Sequence, residues 1–186
     1  MKTCERLAVV ALGLALAAPV AGLAGEEAAA PLDGKAAFAQ LKTLAGDWEG
    51  AVVGQPGEHA VQYRVTSGGN AVIESLFAGT PHEMVSVYFM NGEDLVLTHY
   101  CSAANQPRLR LDRAASSAQE LRFAFDGGTN FDPAKDAHVH AGRIRLLSAQ
   151  QLDAEWEFFE NGQRGHSGRF LLKRKGSTAS LPAAGS

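Results

Sequence analysis

Leu152-Asp153-Ala154-Glu155-Trp156-Glu157-Phe158 places an apolar residue at every even position and an acid at every odd one. A period of two belongs to a β-strand with one face on a core and the other in water. The same period recurs on the N-terminal side of this stretch. Ile144 and Leu146 oppose Arg143 and Arg145; Leu121, Phe123 and Phe125 oppose Arg122 and Asp126; Leu109 and Leu111 oppose Arg108 and Arg110. Turn residues return every 8 to 12 positions or so, the rhythm of a sandwich or barrel.

Extended along the chain, the pattern predicts strands over 47–53, 59–66, 70–77, 82–90, 94–101, 107–112, 119–126, 138–147, 151–160 and 164–174. Asn91-Gly92 and Asn161-Gly162 are strong hairpin signals, because both central residues of a type I′ turn need positive φ. Ser67-Gly68-Gly69 and Ser148-Ala149-Gln150 are weaker ones, and the only long connection is 127–137, with Asn130, Asp132, Pro133 and Asp136. The fold class is therefore all-β: a single antiparallel up-and-down barrel of about ten strands. Ahead of it, Ala37, Phe38, Leu41, Leu44 and Ala45 recur at helical spacing, with Asp33 to cap and Gly46 to stop a short helix over 33–45.

The N-terminus reads as an export signal. Lys2 and Arg6 precede an apolar run from Leu7 to Ala18, then Pro19 and Gly22-Leu23-Ala24, which predicts a signal peptide over 1–24 cut after Ala24. The run is too short and too rich in Ala and Gly for a membrane span, which needs about 20 apolar residues. Residues 25–31 read as a flexible leader, 32–175 as the barrel domain, and 176–186 as a disordered tail. Cys4 would leave with the peptide, so Cys101 is the only remaining thiol and no internal disulfide can form. Removing 1–24 takes Lys plus Arg from 17 to 15 and Asp plus Glu from 20 to 19, a formal charge of −4. That balance is too mild to indicate nucleic acid or an anionic membrane as partner. It leaves the oligomeric state open.

Gly46-Asp47-Trp48, preceded by a short helix and opening the first strand, resembles the Gly-x-Trp signature of lipocalins and their calycin relatives. The resemblance implies a Trp at the closed end of the barrel, beneath a basic side chain from the last strand. Arg169, Lys173 and Arg174 are candidates, and parity favours Arg174 as the structural partner of Trp48. The domain is also similar to a group of uncharacterised exported bacterial proteins with lipocalin-like barrels. That likeness is carried by Thr98-His99-Tyr100-Cys101, Asn105-Gln106-Pro107-Arg108, Gly128-Thr129-Asn130, Asp136-Ala137-His138-Val139-His140, Glu160-Asn161-Gly162 and His166. It implies a fold and no activity. Nitrobindin-type haem barrels are a more distant likeness through the same start, and their haem-binding motif finds no match in this chain.

All six histidines, His59, His82, His99, His138, His140 and His166, fall at one rim of such a barrel, opposite the helix and Trp48. Parity turns His99 and Cys101 inward with Leu95 and Leu97, His138 and His140 inward with Ile144 and Leu146, and His166 inward with Phe170 and Leu172. The fourth strand is ambiguous, since Glu83 shares parity with Val85, Val87 and Phe89; His82 stays unassigned. The main expectation is an exported binder of a small, partly apolar molecule. His99, His138, His140 and His166 would orient it, with Cys101 in the same site, Asn105 and Asn130 would cover it, and Trp156, with Phe123, Phe125 and Phe158, would wall it.

Two other classes compete. His138-x-His140 places two imidazoles roughly 6.5 to 7 Å apart on one strand face, a spacing a zinc site can use with a third ligand from His99, Cys101 or His166, of which His166 is the nearer. The same imidazoles could serve acid-base chemistry, with Cys101 as a thiol taking His138 or His166 as base. Whether a reaction is catalysed stays open, and no cofactor is required; zinc or haem would belong to the alternatives. Thirdly, a solid barrel could dock a partner through outward Arg108, Arg110, Arg122, Arg143 and Arg145, although Glu155 and Glu157 stand ready to pair with Arg143 and Arg145.

Overall fold

The computed structural model describes residues 31–181. After helix α1 (Gly34–Lys42) come β1 (Gly46–Val52), β2 (His59–Thr66), β3 (Ala71–Leu76), β4 (Met84–Asn91), β5 (Asp94–Tyr100), β6 (Gln106–Leu111), β7 (Glu120–Thr129), β8 (His138–Ser148), β9 (Gln151–Glu160) and β10 (Gln163–Arg174). Each strand pairs antiparallel with its sequence neighbours, and β1 closes the barrel on β10. Among the described residues no helix is long and apolar enough to cross a membrane. The expected signal peptide and residues 25–30 of the leader lie outside the described residues, as do 182–186 of the tail. Leu32 is tied down, exchanging hydrogen bonds with Arg113 through its N–H and its carbonyl. Ser180 accepts from the Gln151 side chain.

The base of the barrel is built by local rules. Asp33 accepts from the Ala36 N–H at 3.1 Å and starts α1. The helix ends at Lys42, earlier than its apolar spacing suggests, because the Thr43 N–H and hydroxyl both turn back to the Gln40 carbonyl. Its buried face, Ala37, Phe38 and Leu41, packs over the β4–β5 hairpin. Gly34 touches that hairpin so closely that a Cβ there would lie 2.2 Å from the Glu93 carbonyl oxygen. Trp48 plugs the centre, its indole N–H donating to Leu44 O at 2.8 Å, and Arg174, its register partner, lies over the ring. Above this plug Leu95, Leu97, Leu121, Leu152 and Leu172 fill the lower lumen.

The turns differ in one respect from expectation. Asn161 and Gly162 both take positive φ, 54° and 67°, as a type I′ turn requires. Asn91 instead pairs with Asp94, so the centre of that hairpin is Gly92-Glu93 and only Gly92 takes positive φ. β7 also runs three residues beyond its expected end. Gly127 and Gly128, at φ 94° and 156°, carry it through a register shift against Pro107 and Leu109, which shortens the long connection to 130–137.

On the outside the arginine row is neutralised within the sheet. Arg108 and Arg110 share Asp126, and Arg110 also meets Asp94. Arg122 pairs with Glu120, Arg143 with Glu120, Asp153 and Glu155, and Arg145 with Asp153. The expected Arg143–Glu155 pair forms. Arg145 takes Asp153 rather than Glu157, since the register sets it opposite Asp153, and Glu157 takes Arg164.

Candidate functional site

At the end opposite Trp48 the lumen is not filled. A cavity of about 180 Å³ opens there, walled by Val52, Leu76, Phe77, Met84, Val139, Phe158 and Phe170, with His99, Trp156 and His166 among its lining. His99 and Trp156 are buried, 1% and 2% exposed. Their rings stack at 6.3 Å and 20°. Among the described residues neither His99 Nε2 nor Trp156 Nε1 has a hydrogen-bond partner. Such a group costs roughly 1–3 kcal/mol when left unsatisfied, so a wall carrying two of them suits a ligand with a polar end.

Trp156 gains its place from a glycine. Gly142 is its register partner on β8, and a Cβ at Gly142 would lie 2.3 Å from the indole ring. The absent side chain lets the indole lie flat against the β8 backbone. Gly168, the partner of Trp156 on β10, opens the other side; a Cβ there would meet nothing nearer than Phe170 at 3.8 Å.

Below His99 runs a line of polar groups that hydrophobic alternation did not reveal. Tyr63, Glu74, Ser86 and His99 are successive cross-strand partners on β2, β3, β4 and β5, so the four side chains share one inward row. Tyr63 donates to Glu74 Oε1 at 2.5 Å, and Tyr88, two positions beyond Ser86, donates to Oε2 at 2.8 Å. Ser86 Oγ is 3.0 Å from His99 Nδ1. Glu74 is fully buried. Burial raises its pKa, while the bonds from Tyr63, Tyr88 and Ser86 work against that rise by favouring the carboxylate. Burial, followed by the charge of Glu74, pushes both tyrosines well above their ordinary value. Burial alone lowers His99 from 6.5 to about 4, which keeps its imidazole neutral near pH 7.

The fourth strand explains why this row was missed. Ser86 and Tyr88 face inward and are buried, while Val85, Val87 and Phe89 on the opposite parity are only half-buried. Here Val85, Val87 and Phe89 face out while Ser86 and Tyr88 face in. The signal that could have found the row is register rather than hydrophobicity: counting back from the Asn91–Asp94 pair sets Ser86 opposite His99.

The six histidines share a rim without converging. His99 and His166 line the cavity, and His166 stacks on Phe158 at 4.5 Å from its exposed place in a β10 bulge. His59 packs edge-on against Phe77. His82 is exposed in the turn before β4. His138 and His140 do not point into the lumen as parity implied, because β8 bulges between Val139 and Ala141. The bulge sets Val139 opposite Phe158 and into the cavity wall, and His138 opposite Phe159. His140 stacks on Phe159 at 3.8 Å and on Phe125 at 4.8 Å, and Phe131 packs on His138. His138 Nδ1 lies 2.8 Å from the Asp136 carbonyl and its Nε2 lies 3.0 Å from His140 Nδ1. Burial and then the neighbouring His138 lower the pKa of His140.

The expected zinc set is thereby split, with His166 on the cavity and the other two in this aromatic cluster. Among the described residues no three His, Cys, Asp or Glu side chains gather as a metal site. Cys101 follows the end of β5, bonded through its N–H to the Asn105 carbonyl, and is not among the cavity-lining residues. Asn105 and Asn130 hold loops together rather than covering the cavity. Asn105 Nδ2 donates to Ala137 O at 2.8 Å and Asn130 Nδ2 donates to Ala104 O. Phe123 packs edge-on against Tyr88 in the core, and Phe125 joins the His138–His140 cluster, so Trp156 and Phe158 are the expected aromatics that wall the cavity. The sequence matches no protein-family model and shows no significant similarity to a curated protein.

Proposed function

We propose that this barrel binds one small, mainly apolar molecule with a single polar end, held in the mouth cavity by His99 and Trp156. The observation that carries this is the pair of buried, unpartnered ring nitrogens on two residues of a cavity whose other lining, apart from Gln55, His166 and Ser167, is apolar. The volume suits a single-ring compound, since a cavity of about 150 Å³ accepts benzene. His99 Nε2 and Trp156 Nε1–H supply the specificity and Val52, Leu76, Phe77 and Phe170 the affinity. The pattern over residues 1–24 supports a site of action outside the cytoplasm, which N-terminal sequencing of the mature protein would test. Pairing of all five expected arginines to carboxylates on the sheet argues against a docking role for that face.

Phenol and toluene test the reading as a matched pair. The chain has two tryptophans, and only Trp156 has a free indole N–H. Phenol should move the Trp156 indole N–H resonance, leave that of Trp48 in place, and bind about tenfold tighter than toluene, the worth of one buried hydrogen bond. Gly168→Leu, which fills the cavity without backbone strain, should abolish both. Equal binding by wild type and Gly168→Leu, or none by wild type, would sink it.

A further inference from the structure

Ser86 has one proton to give and lies in the inward row between two acceptors, the carboxylate of its cross-strand partner Glu74 and His99 Nδ1, 3.0 Å from its Oγ. An ionised Glu74 can only accept, so Ser86 donates to it, and the Ser86–His99 bond must then be supplied by His99 Nδ1–H. That tautomer leaves the lone pair on Nε2, the ring nitrogen without a partner on a residue that lines the cavity. A protonated Glu74 reverses the bonds between Glu74 and His99: it donates to Ser86, Ser86 donates to Nδ1, and Nε2 carries the proton. The ionisation of a buried acid on β3 thus sets whether the wall of the cavity accepts or donates.

We propose that Glu74, Ser86 and His99 form a proton relay through which the cavity takes a weakly acidic hydroxyl compound, of the phenol or enol class, as its anion. The inference rests on the cavity being the ligand site. The ligand O–H proton passes to His99 Nε2, the Nδ1 proton passes to Ser86 Oγ, and the Ser86 proton passes to Glu74. No proton enters or leaves the complex. Its products are a ligand oxyanion, a neutral Glu74 acid and a neutral His99 of the other tautomer, so the single negative charge moves from Glu74 to the ligand. The oxyanion then meets two donors, His99 Nε2–H and the Trp156 N–H, the latter able only to donate. Charge-assisted bonds of this kind are roughly twice as strong as neutral ones.

The surroundings favour transfer through His99 rather than storage on it. Burial disfavours an imidazolium there, so the proton does not stop. The same burial makes Glu74 a better proton acceptor than an exposed carboxylate, and Tyr63 and Tyr88 keep donating to it in either state. Tyr63 from β2 and Tyr88 from β4 are the titratable groups bonded to this acid, and His99 from β5 is joined to the row through Ser86.

para-Nitrophenol serves as the probe, because its neutral and anionic forms absorb at different wavelengths. It is titrated into the full chain about one pH unit below its own pKa, where the free dye is mostly neutral. Wild type is expected to bind it with the absorption of the anion. Glu74→Gln and Ser86→Ala, each checked for cooperative unfolding, are expected to bind it as the neutral phenol and about tenfold more weakly; the second variant leaves the acid in place and only breaks the relay. An anionic spectrum unchanged in both variants would overturn the relay, and so would a neutral bound dye in wild type. Failure of wild type to take up either the dye or toluene would overturn the cavity reading along with it, whereas uptake of toluene with a neutral bound dye overturns the relay alone.

Discussion

Arg174 lies over Trp48, its guanidinium carbon 4.5 Å from the ring, and from there donates to the carbonyls of Thr43, Ala45 and Ala149. One side chain thus joins the end of α1, the entry to β1 and the β8–β9 turn over the tryptophan that closes the base. Arg174→Ala should cost about 2–3 kcal/mol, combining a cation–π contact with charged hydrogen bonds. A fall of about 5–10 °C in thermal midpoint checks it. Arg174→Lys should recover little, because an ammonium cannot reproduce the planar fork.

His99 makes the barrel sensitive to acid. Its pKa of about 4 when folded lies below the ordinary 6.5, so the unfolded chain binds more protons between these values. Stability therefore rises with pH through that window; it is fully present above 6.5 and lost as pH falls towards 4. The loss should be about 3 kcal/mol, read from denaturant unfolding at a series of pH values. His99→Gln should flatten that slope.

Glu74 acts with the opposite sign. Its raised pKa means that the folded chain holds a proton that the unfolded chain has lost, so its contribution is complete below 4.5 and fades as pH rises through the folded value. Glu74→Gln should thus gain on wild type as pH rises, measured as the change in unfolding midpoint. A constant difference across pH would contradict the raised pKa.

Gly142→Ala should be costly although alanine suits a strand better than glycine. The new methyl would lie within 2.6 Å of two Trp156 ring carbons. Overpacking of this kind costs about 1–3 kcal/mol. The same change should weaken phenol binding by displacing the indole N–H, which titration of the variant would show.

Asp153 is buried beneath Arg143, Arg145 and Arg169 on the outer face. Burial raises its pKa, but the bonds and charges of Arg169, Arg143 and Arg145 outweigh that and hold the carboxyl below its ordinary 3.8. Its stabilisation is present above 3.8 and lost as pH falls through the lower folded value. Asp153→Asn should cost about 3 kcal/mol at pH 7, since three guanidiniums would lose their shared carboxylate. Chemical unfolding at low and high salt checks it, with the penalty growing at low salt.

The alternation from Leu109 to Phe158, the Asn161-Gly162 turn and the helical spacing ahead of Gly46 made the all-β class, the hairpin order and the base helix legible, because each is a local consequence of side-chain period and turn chemistry. Parity likewise set His99 inward and Trp48 opposite Arg174. Parity failed wherever a strand gained a residue. The β8 bulge turned His138 and His140 away from the lumen, and the β10 bulge left His166 exposed at its edge, because one extra residue reverses every face on one side of it. The inward row of Tyr63, Glu74, Ser86 and His99 depended on four strands coming into one register, with the residues 11 to 13 positions apart, which takes three successive hairpins together. Local sequence thus determined the container. Long-range pairing decided what faces its interior, because a side chain's partner across a sheet is set by registers summed over several hairpins and by no single one of them.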